Sequence, residues 1–202
     1  VVGQKSYNGV ALPSKQPAED VLDHLPGDAE DTQGRYVEAT VAGVRIASLY
    51  LPNGNPWPGP KFDYKLAWFE RLIAHADSLL ASGHPVVLAG DYNVVPTDEL
   101  DIYDPRSWKR DALLQPESRE CWRRLLAQGW TDALRAKYPD ERIYTFWDYQ
   151  AGAWPRDNGI RIDHILLSPQ AADLLVDLGI DRDERAKDKP SDHVPVWALL
   201  DA

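Results

Sequence analysis

The chain has 202 residues, 44% hydrophobic and 27% charged, the composition of an ordinary globular protein long enough for one sizeable core. A formal net charge of -10 opposes polyanion binding in bulk, so any attraction to nucleic acid or to a phosphate ester has to be local. No apolar run approaches the ~20 residues of a membrane-spanning helix, and no basic-then-apolar signal stands at the start.

The single Cys121 excludes an intramolecular disulfide and fits a reducing cytoplasm, where it reads as a small packed side chain on a helix. Eight Trp supply large apolar and stacking area. Met is absent throughout, and the opening Val1-Val2-Gly3-Gln4-Lys5 reads as the middle of something longer.

In chain order, Gln4 to Leu12 reads as a strand. Residues 13–34, rich in Pro, Gly, Asp and Glu, read as a loop. Tyr36–Val41 and Val44–Tyr50, around Ala42-Gly43, give a hairpin signal. Leu51 to Pro60 is a punctuated loop. Phe62, Leu66, Phe69, Ile73, Ala76 and Leu80 then form one apolar stripe, which predicts a helix ended by Gly83.

Pro85-Val86-Val87-Leu88 is a buried-strand signal, and Gly90 permits a tight turn after it. Asp91 and Asn93 emerge at the strand's carboxyl end, the edge where α/β sheets bind ligands. Two positions apart in extended backbone, they point the same way. Asp101–Gln115 reads as a polar loop, and Glu117–Gln128 as a second helix. Tyr144–Tyr149 and Ile160–Leu167 read as strands, Pro169–Leu178 as a helix, and Val194–Leu200 as the last strand. Hairpin, helix and Val-rich strand in succession indicate a layered α/β fold. No repeat or second-domain boundary interrupts residues 1–202, which are read as one domain.

Asp163 stands inside a strand pattern, where a carboxylate needs a partner or a task. Asp192-His193 precede the last strand. With Asp91 and Asn93 they supply three carboxylates, an amide and an imidazole near strand ends. That set suits a hard divalent ion such as Mg²⁺ and a His oriented by an Asp. The chemistry it points to is metal-assisted hydrolysis of a phosphate ester.

The stretches Gly90-Asp91-Tyr92-Asn93-Val94-Val95-Pro96-Thr97-Asp98, Trp147-Asp148-Tyr149, Gly159-Ile160-Arg161-Ile162-Asp163 and Pro190-Ser191-Asp192-His193-Val194-Pro195-Val196-Trp197 resemble exodeoxyribonuclease III of the endonuclease/exonuclease/phosphatase superfamily. The resemblance runs from Gly3 to Trp197. It implies a four-layer sandwich of two packed mixed β-sheets flanked by helices. It implies a Mg²⁺-dependent DNA-repair enzyme, with Mn²⁺ as a substitute ion. Such an enzyme acts as a 3′-to-5′ exonuclease on duplex DNA and incises abasic sites, as a monomer without a membrane partner.

Residue by residue, Asp91 matches the carboxylate that handles the attacking water or the leaving-group proton. Asn93 matches the amide that holds a phosphate oxygen or that water. Tyr50 matches a phosphate-contacting tyrosine, Asp163 the carboxylate that orients the histidine, and His193 the imidazole at the scissile phosphate. Asp192, with Asp91 and Asn93, matches the metal site. Phe146, Ile160 and Ile162 fall where the family lines a pocket for a base-free sugar, next to Trp147.

Arg106 and other cations of the 105–124 region, with Arg156 and Arg161, are the candidates for DNA phosphate contacts. The family's opening Trp-Asn and Gln-Glu pairs, whose Asn and Glu serve the metal, have no counterpart here. They would precede Val1 by two strand–helix units of ~30 residues each. Two other readings compete: a catalytically silent DNA-binding fragment, and a superfamily phosphatase acting on lipid or inositol phosphates.

Overall fold

The structure, a computed structural model, describes residues 1–202. Its centre is a mixed six-stranded sheet whose strands lie in the order β3 (Ala18–Leu22), β4 (Tyr36–Val41), β5 (Val44–Tyr50), β6 (Val86–Asp91), β8 (Asp163–Leu167) and β7 (Thr131–Asp132). The first two strands lie outside it. β1 (Val2–Gly3) and β2 (Gly9–Val10) form a two-residue antiparallel ladder of their own, so the strand expected over Gln4–Leu12 is a short hairpin instead. β3 (Ala18–Leu22) lies in the segment expected to be a loop. Its side chains are almost all exposed, as befits a polar edge strand held by its pairing to β4.

β4 (Tyr36–Val41) and β5 (Val44–Tyr50) are the expected hairpin, turning at Ala42-Gly43 with both residues at positive φ. α1 (Pro60–Ala81) opens with Pro at its first turn. It buries Phe62, Lys65, Trp68, Phe69, Leu72, Ile73 and Ala76, whereas Leu66 and Leu80 of the expected stripe lie half-buried at its margin. This face packs on Ala47, Leu49, Val86, Leu88 and Leu166 of the sheet, and α2 (Pro116–Ala127) adds Cys121, Trp122 and Leu125 to the same core.

β6 (Val86–Asp91) runs parallel to β5 and antiparallel to β8 (Asp163–Leu167). β7 (Thr131–Asp132) closes the far edge and leads into α3 (Ala133–Lys137). α4 (Pro169–Asp173) is a single capped turn. Residues 175–178, expected to continue it, belong instead to β9 (Leu175–Ile180), paired antiparallel with β10 (Val196–Leu200). Pairing with β10 outweighs the helical start. β9 and β10 make a smaller sheet whose Leu178 joins Val44, Val87, Ile165 and Leu167 in a second core on the other face of the large sheet.

Tyr144–Tyr149 is irregular rather than a strand. Phe146 makes only isolated bridges, to Ile160 and to His193. No helix is long and apolar enough to cross a membrane.

Candidate active site

Strand register brings the expected residues together. Tyr50 pairs with Asp91 across the parallel β5–β6 ladder, and Asp91 pairs with Asp163 across the antiparallel β6–β8 ladder. Three side-chain positions from three strands thus form one row at one edge of the sheet. Gly90 makes the row possible. Its φ is +152°, and a Cβ there would lie 1.9 Å from the Leu49 carbonyl oxygen, so only glycine lets β6 approach β5 so closely. The expected tight turn at Gly90 is therefore a close backbone approach inside the strand.

Asn93 reaches Asp91 by a different route from the one its spacing implied. Its backbone is left-handed, at φ 47°, so the alternation of extended chain does not carry through it. Instead the Asn93 amide N–H donates to Asp91 Oδ1 at 2.8 Å, and its Nδ2 donates to Asp91 Oδ2 at 3.0 Å. Nδ2 also donates to the Leu51 carbonyl at 2.8 Å, and Oδ1 accepts from Asn53 Nδ2 at 3.0 Å. Asn93 is buried; its backbone N–H and one side-chain N–H fix the Asp91 carboxylate, and the other side-chain N–H holds the Leu51 carbonyl.

His193 faces the row from the segment before β10. Its Nδ1 lies 2.8 Å from Asp163 Oδ2, and its ring meets Phe146 edge-on with centroids 5.1 Å apart. Asp163 is held in turn at its backbone, since the Thr145 hydroxyl accepts from the Ile162 and Asp163 N–H groups, both at 3.1 Å. Asp163 thereby fixes the ring and leaves Nε2 free.

Electrostatics follow from this crowding. Burial pushes the Asp91 carboxyl up to about 7, and the facing Asp163 charge adds to it, against the pull of His193, the Asn93 N–H and Lys65. Burial would hold His193 neutral, but the hydrogen bond and charge of Asp163, with Asp91 and Asp192, push it up to about 9. Burial and the Asp91 charge raise the Tyr50 hydroxyl, while Arg35, stacked 4.9 Å from the ring centroid, opposes them.

The row opens into a cavity of about 150 Å³ lined by Tyr50, Asn53, Asp91, Asn93, Trp108, Asp111, Leu113, Phe146, Ile160, Ile162 and His193. A roomier hollow of about 470 Å³, bounded by Leu134, Lys137, Trp147, Asp177 and Arg182, contains none of the Asp91–His193 set.

Residues 1–193 match the Endonuclease/Exonuclease/phosphatase family. The chain belongs to that family. It is 33% identical over 207 residues to exodeoxyribonuclease III of Haemophilus influenzae, a span covering 97% of this chain and 78% of that protein. Among solved structures it is similar to an AP endonuclease from Archaeoglobus fulgidus, with TM-score 0.86, 35% identity, and 93% of this chain and 72% of that one covered. It is similar also to a 3′ phosphatase from Neisseria bound to a product DNA hairpin, with TM-score 0.88, 39% identity, and 94% and 73% covered.

In this family member, Tyr50, Asp91, Asn93, Asp163, His193, Phe146, Ile160 and Ile162 all line or border the one cavity. Asp192 adjoins it: it is half-buried, and its charge reaches both His193 and Tyr50. Three expected residues stand elsewhere. Trp147 is 1% exposed, and its indole N–H bonds Asp157 at 3.0 Å, so it packs the core beside the cavity instead of lining it. The Arg106 side chain is 95% exposed beside Asp104, outside the cavity lining. Arg161 is buried at 1% exposure, bonded by Asp101 at 2.6 Å and Asp132 at 2.8 Å, and has no path to a DNA phosphate.

Asn53, Trp108 and Asp111 were missed. Asn53 stands three positions after Tyr50, and no signal in the sequence set it apart from the other turn residues around it. Trp108 and Asp111 sit in a charged stretch without apolar periodicity, which reads as a solvated loop. Lys65 interrupts the apolar face of α1, where a lysine reads as a surface residue, yet its side chain is buried.

Proposed function

We propose that this chain is a DNA-repair nuclease of the exodeoxyribonuclease III type, hydrolysing phosphodiester bonds at 3′ ends and abasic sites of duplex DNA with a divalent ion, Mg²⁺ or Mn²⁺. The observation that carries this reading is the Tyr50–Asp91–Asp163 row with His193 bonded to Asp163 and its Nε2 free toward a small, apolar-walled cavity.

Donor chemistry bears on the ion. No three His, Cys, Asp or Glu side chains converge as a ready-made metal cluster. Mg²⁺, however, is commonly held by one or two carboxylates together with substrate phosphates and waters. Asp192 carries no side-chain ion pair and reaches His193 through space, and burial raises the Asp91 carboxyl, with the facing Asp163 charge adding to it. Asp192 and Asp91, with phosphate oxygens, are the residues that would hold an ion. When bound, it supplies charge to the phosphoryl oxygens and acidity to bound water.

The chain's own groups do the rest. Asp91, its carboxylate oriented by two N–H groups of Asn93, takes the proton of the attacking water. Burial and the facing Asp163 charge raise this carboxyl above the ordinary carboxylate range, which favours its taking a proton. His193, protonated and held by Asp163, donates from Nε2 to a phosphoryl oxygen as negative charge grows there. Tyr50, neutral under Arg35, offers its hydroxyl at the same edge. Phe146, Ile160 and Ile162 wall a space the size of a sugar without its base. Since the chain carries a net charge of -10, strand contacts come from local cations, and abasic specificity comes from the cavity.

The deciding experiment uses three labelled duplexes, with an abasic site, a recessed 3′ hydroxyl and a 3′ phosphate, and beside them an inositol phosphate, each with Mg²⁺ and with EDTA. Mg²⁺-dependent cleavage of the first two is expected. Tight binding without turnover would favour a silent DNA binder. Hydrolysis confined to inositol phosphates would favour the phosphatase reading. In a cleaving chain, Asn93→Ala should lower turnover by roughly 10²-fold with little loss of DNA affinity, as read by single-turnover kinetics against filter binding. The reverse pattern would make Asn93 a binding residue only.

A further inference from the structure

Lys65 is the one lysine whose whole side chain lies inside the protein, at 0% exposure, on the sheet-facing side of α1. Its ammonium donates to three main-chain carbonyls: Asn93 at 2.6 Å, Asn53 at 3.1 Å and Ala112 at 3.4 Å. Three hydrogens meet three acceptors, which is the full capacity of the group. The acceptors come from three separate segments: the loop after β5, the loop after β6, and the short 3-10 turn Ala112–Leu114. Each segment contributes a wall of the same cavity, through Asn53, Asn93 and Leu113 respectively.

The surroundings are shaped for this side chain. Gly54 has φ +90°, and a Cβ there would lie 2.7 Å from Lys65 Cδ. Taking an ammonium out of water is costly before its partners offset the loss, and an apolar residue of similar volume is often as stable in place of a buried charge. A lysine kept here is therefore better explained by what it orients than by what it stabilises.

Resting on the nuclease reading above, we propose that Lys65 is a positioning residue. Its ammonium fixes the Asn53 and Asn93 backbones relative to each other, and so sets the chain of hydrogen bonds from Asn53 through Asn93 to the Asp91 carboxylate. It touches no substrate. The Asn53–Asn93 contact of 3.0 Å and the Asn93–Asp91 contacts of 2.8 and 3.0 Å depend on where those two loops sit, and no other side chain bonds both loop carbonyls.

The test compares the full chain with Lys65→Met, Lys65→Arg and, as a control on an exposed site of the same helix, Lys61→Met. Three quantities are read: kcat and KM on the duplex the parent cleaves, the thermal midpoint, and the side-chain amide NMR signals of Asn53 and Asn93. Lys65→Met is expected to lower kcat at least ~10-fold with KM within about twofold and to move both amide signals. Lys65→Arg should recover part of the kcat, and Lys61→Met should change nothing.

A folded Lys65→Met protein with parental kcat and unmoved amides would overturn the proposal. A variant that fails to fold leaves the parent protein to decide. Its Lys65 ammonium, observed by ¹⁵N NMR, should show couplings across hydrogen bonds to carbonyls 53 and 93, and their absence would overturn the proposal too. The amide signals need no DNA. A parent chain without nuclease activity would therefore defeat the functional reading while the role of Lys65 in ordering the two asparagines was still read separately.

Discussion

At the scale of single residues, the site depends on second partners as much as on the groups that face the cavity. Asp163→Ala removes the anchor of the His193 ring. The expected outcome is a loss of about 10²- to 10⁴-fold in cleavage with the far-UV spectrum and thermal midpoint nearly unchanged. His193→Asn should do the same, and parental rates in either would remove that residue from the mechanism. Asp91, Asp163 and His193 were legible because polar residues at strand ends break the local pattern. The position of Asn93 was legible and its geometry was not, because a left-handed φ cannot be read from spacing. Arg161 shows the opposite failure. A cation in a strand-like stretch reads as a surface contact until Asp101 and Asp132, 60 and 29 residues away, are seen to enclose it.

At the scale of elements, the hairpin, α1 and α2 followed from apolar periodicity, which is a local property. The short elements did not. β3 is polar and owes its conformation to pairing with β4. The segment after α4 has a helical start that sheet pairing overrides, since β9 gains a ladder with β10. Tyr144–Tyr149 has strand-like composition, but single bridges hold Phe146 between Ile160 and His193. Two substitutions test how the elements hold the site. Gly90→Ala has no room for its Cβ against the Leu49 carbonyl, and should cost roughly 3 kcal/mol in urea unfolding while disturbing the β5–β6 register. Arg161→Met leaves Asp101 and Asp132 without their shared partner. It should cost about 3 to 5 kcal/mol, whereas Arg106→Met, on the surface, should cost nothing measurable.

At the scale of the whole molecule, buried ionisable groups make the fold sensitive to acid. Burial raises and His75, Tyr36 and Arg45 lower the Glu38 carboxyl, the latter winning to leave it at about 2. Asp101 also sits at about 2, where Arg161 and Arg135 outweigh its burial. Both are depressed below their unfolded values, so their stabilisation is complete above pH ~4.5 and is lost as pH falls toward 2. His164 is neutral, pushed down to about 4 by burial and by Arg161. Its Nδ1 accepts from that arginine and its Nε2–H donates to the Val94 carbonyl. The unfolded histidine takes a proton first, so this contribution fades between pH 6.5 and 4. Each group is worth about 2 to 3 kcal/mol by its shift.

The raised Asp91 and His193 act with the opposite sign above pH 4, so differences are the quantity to measure. The stability advantage of the parent over His164→Gln should shrink by about 3 kcal/mol from pH 7 to pH 4. The parent itself should lose stability steeply from pH 4 to pH 2 in urea titrations. An advantage constant with pH would mean that His164 takes up its proton as readily in the folded protein as in the unfolded one.

The row of Tyr50, Asp91 and Asp163 belongs to the sheet, while Asn53, Trp108, Leu113 and Phe146 belong to the connections around it. On the nuclease reading proposed above, the strands set the register of three of the reacting groups, while the connections carry Asn93 and His193 along with most of the cavity wall. A change in the length of those connections would therefore alter the shape of the cavity and the placement of two reacting groups together.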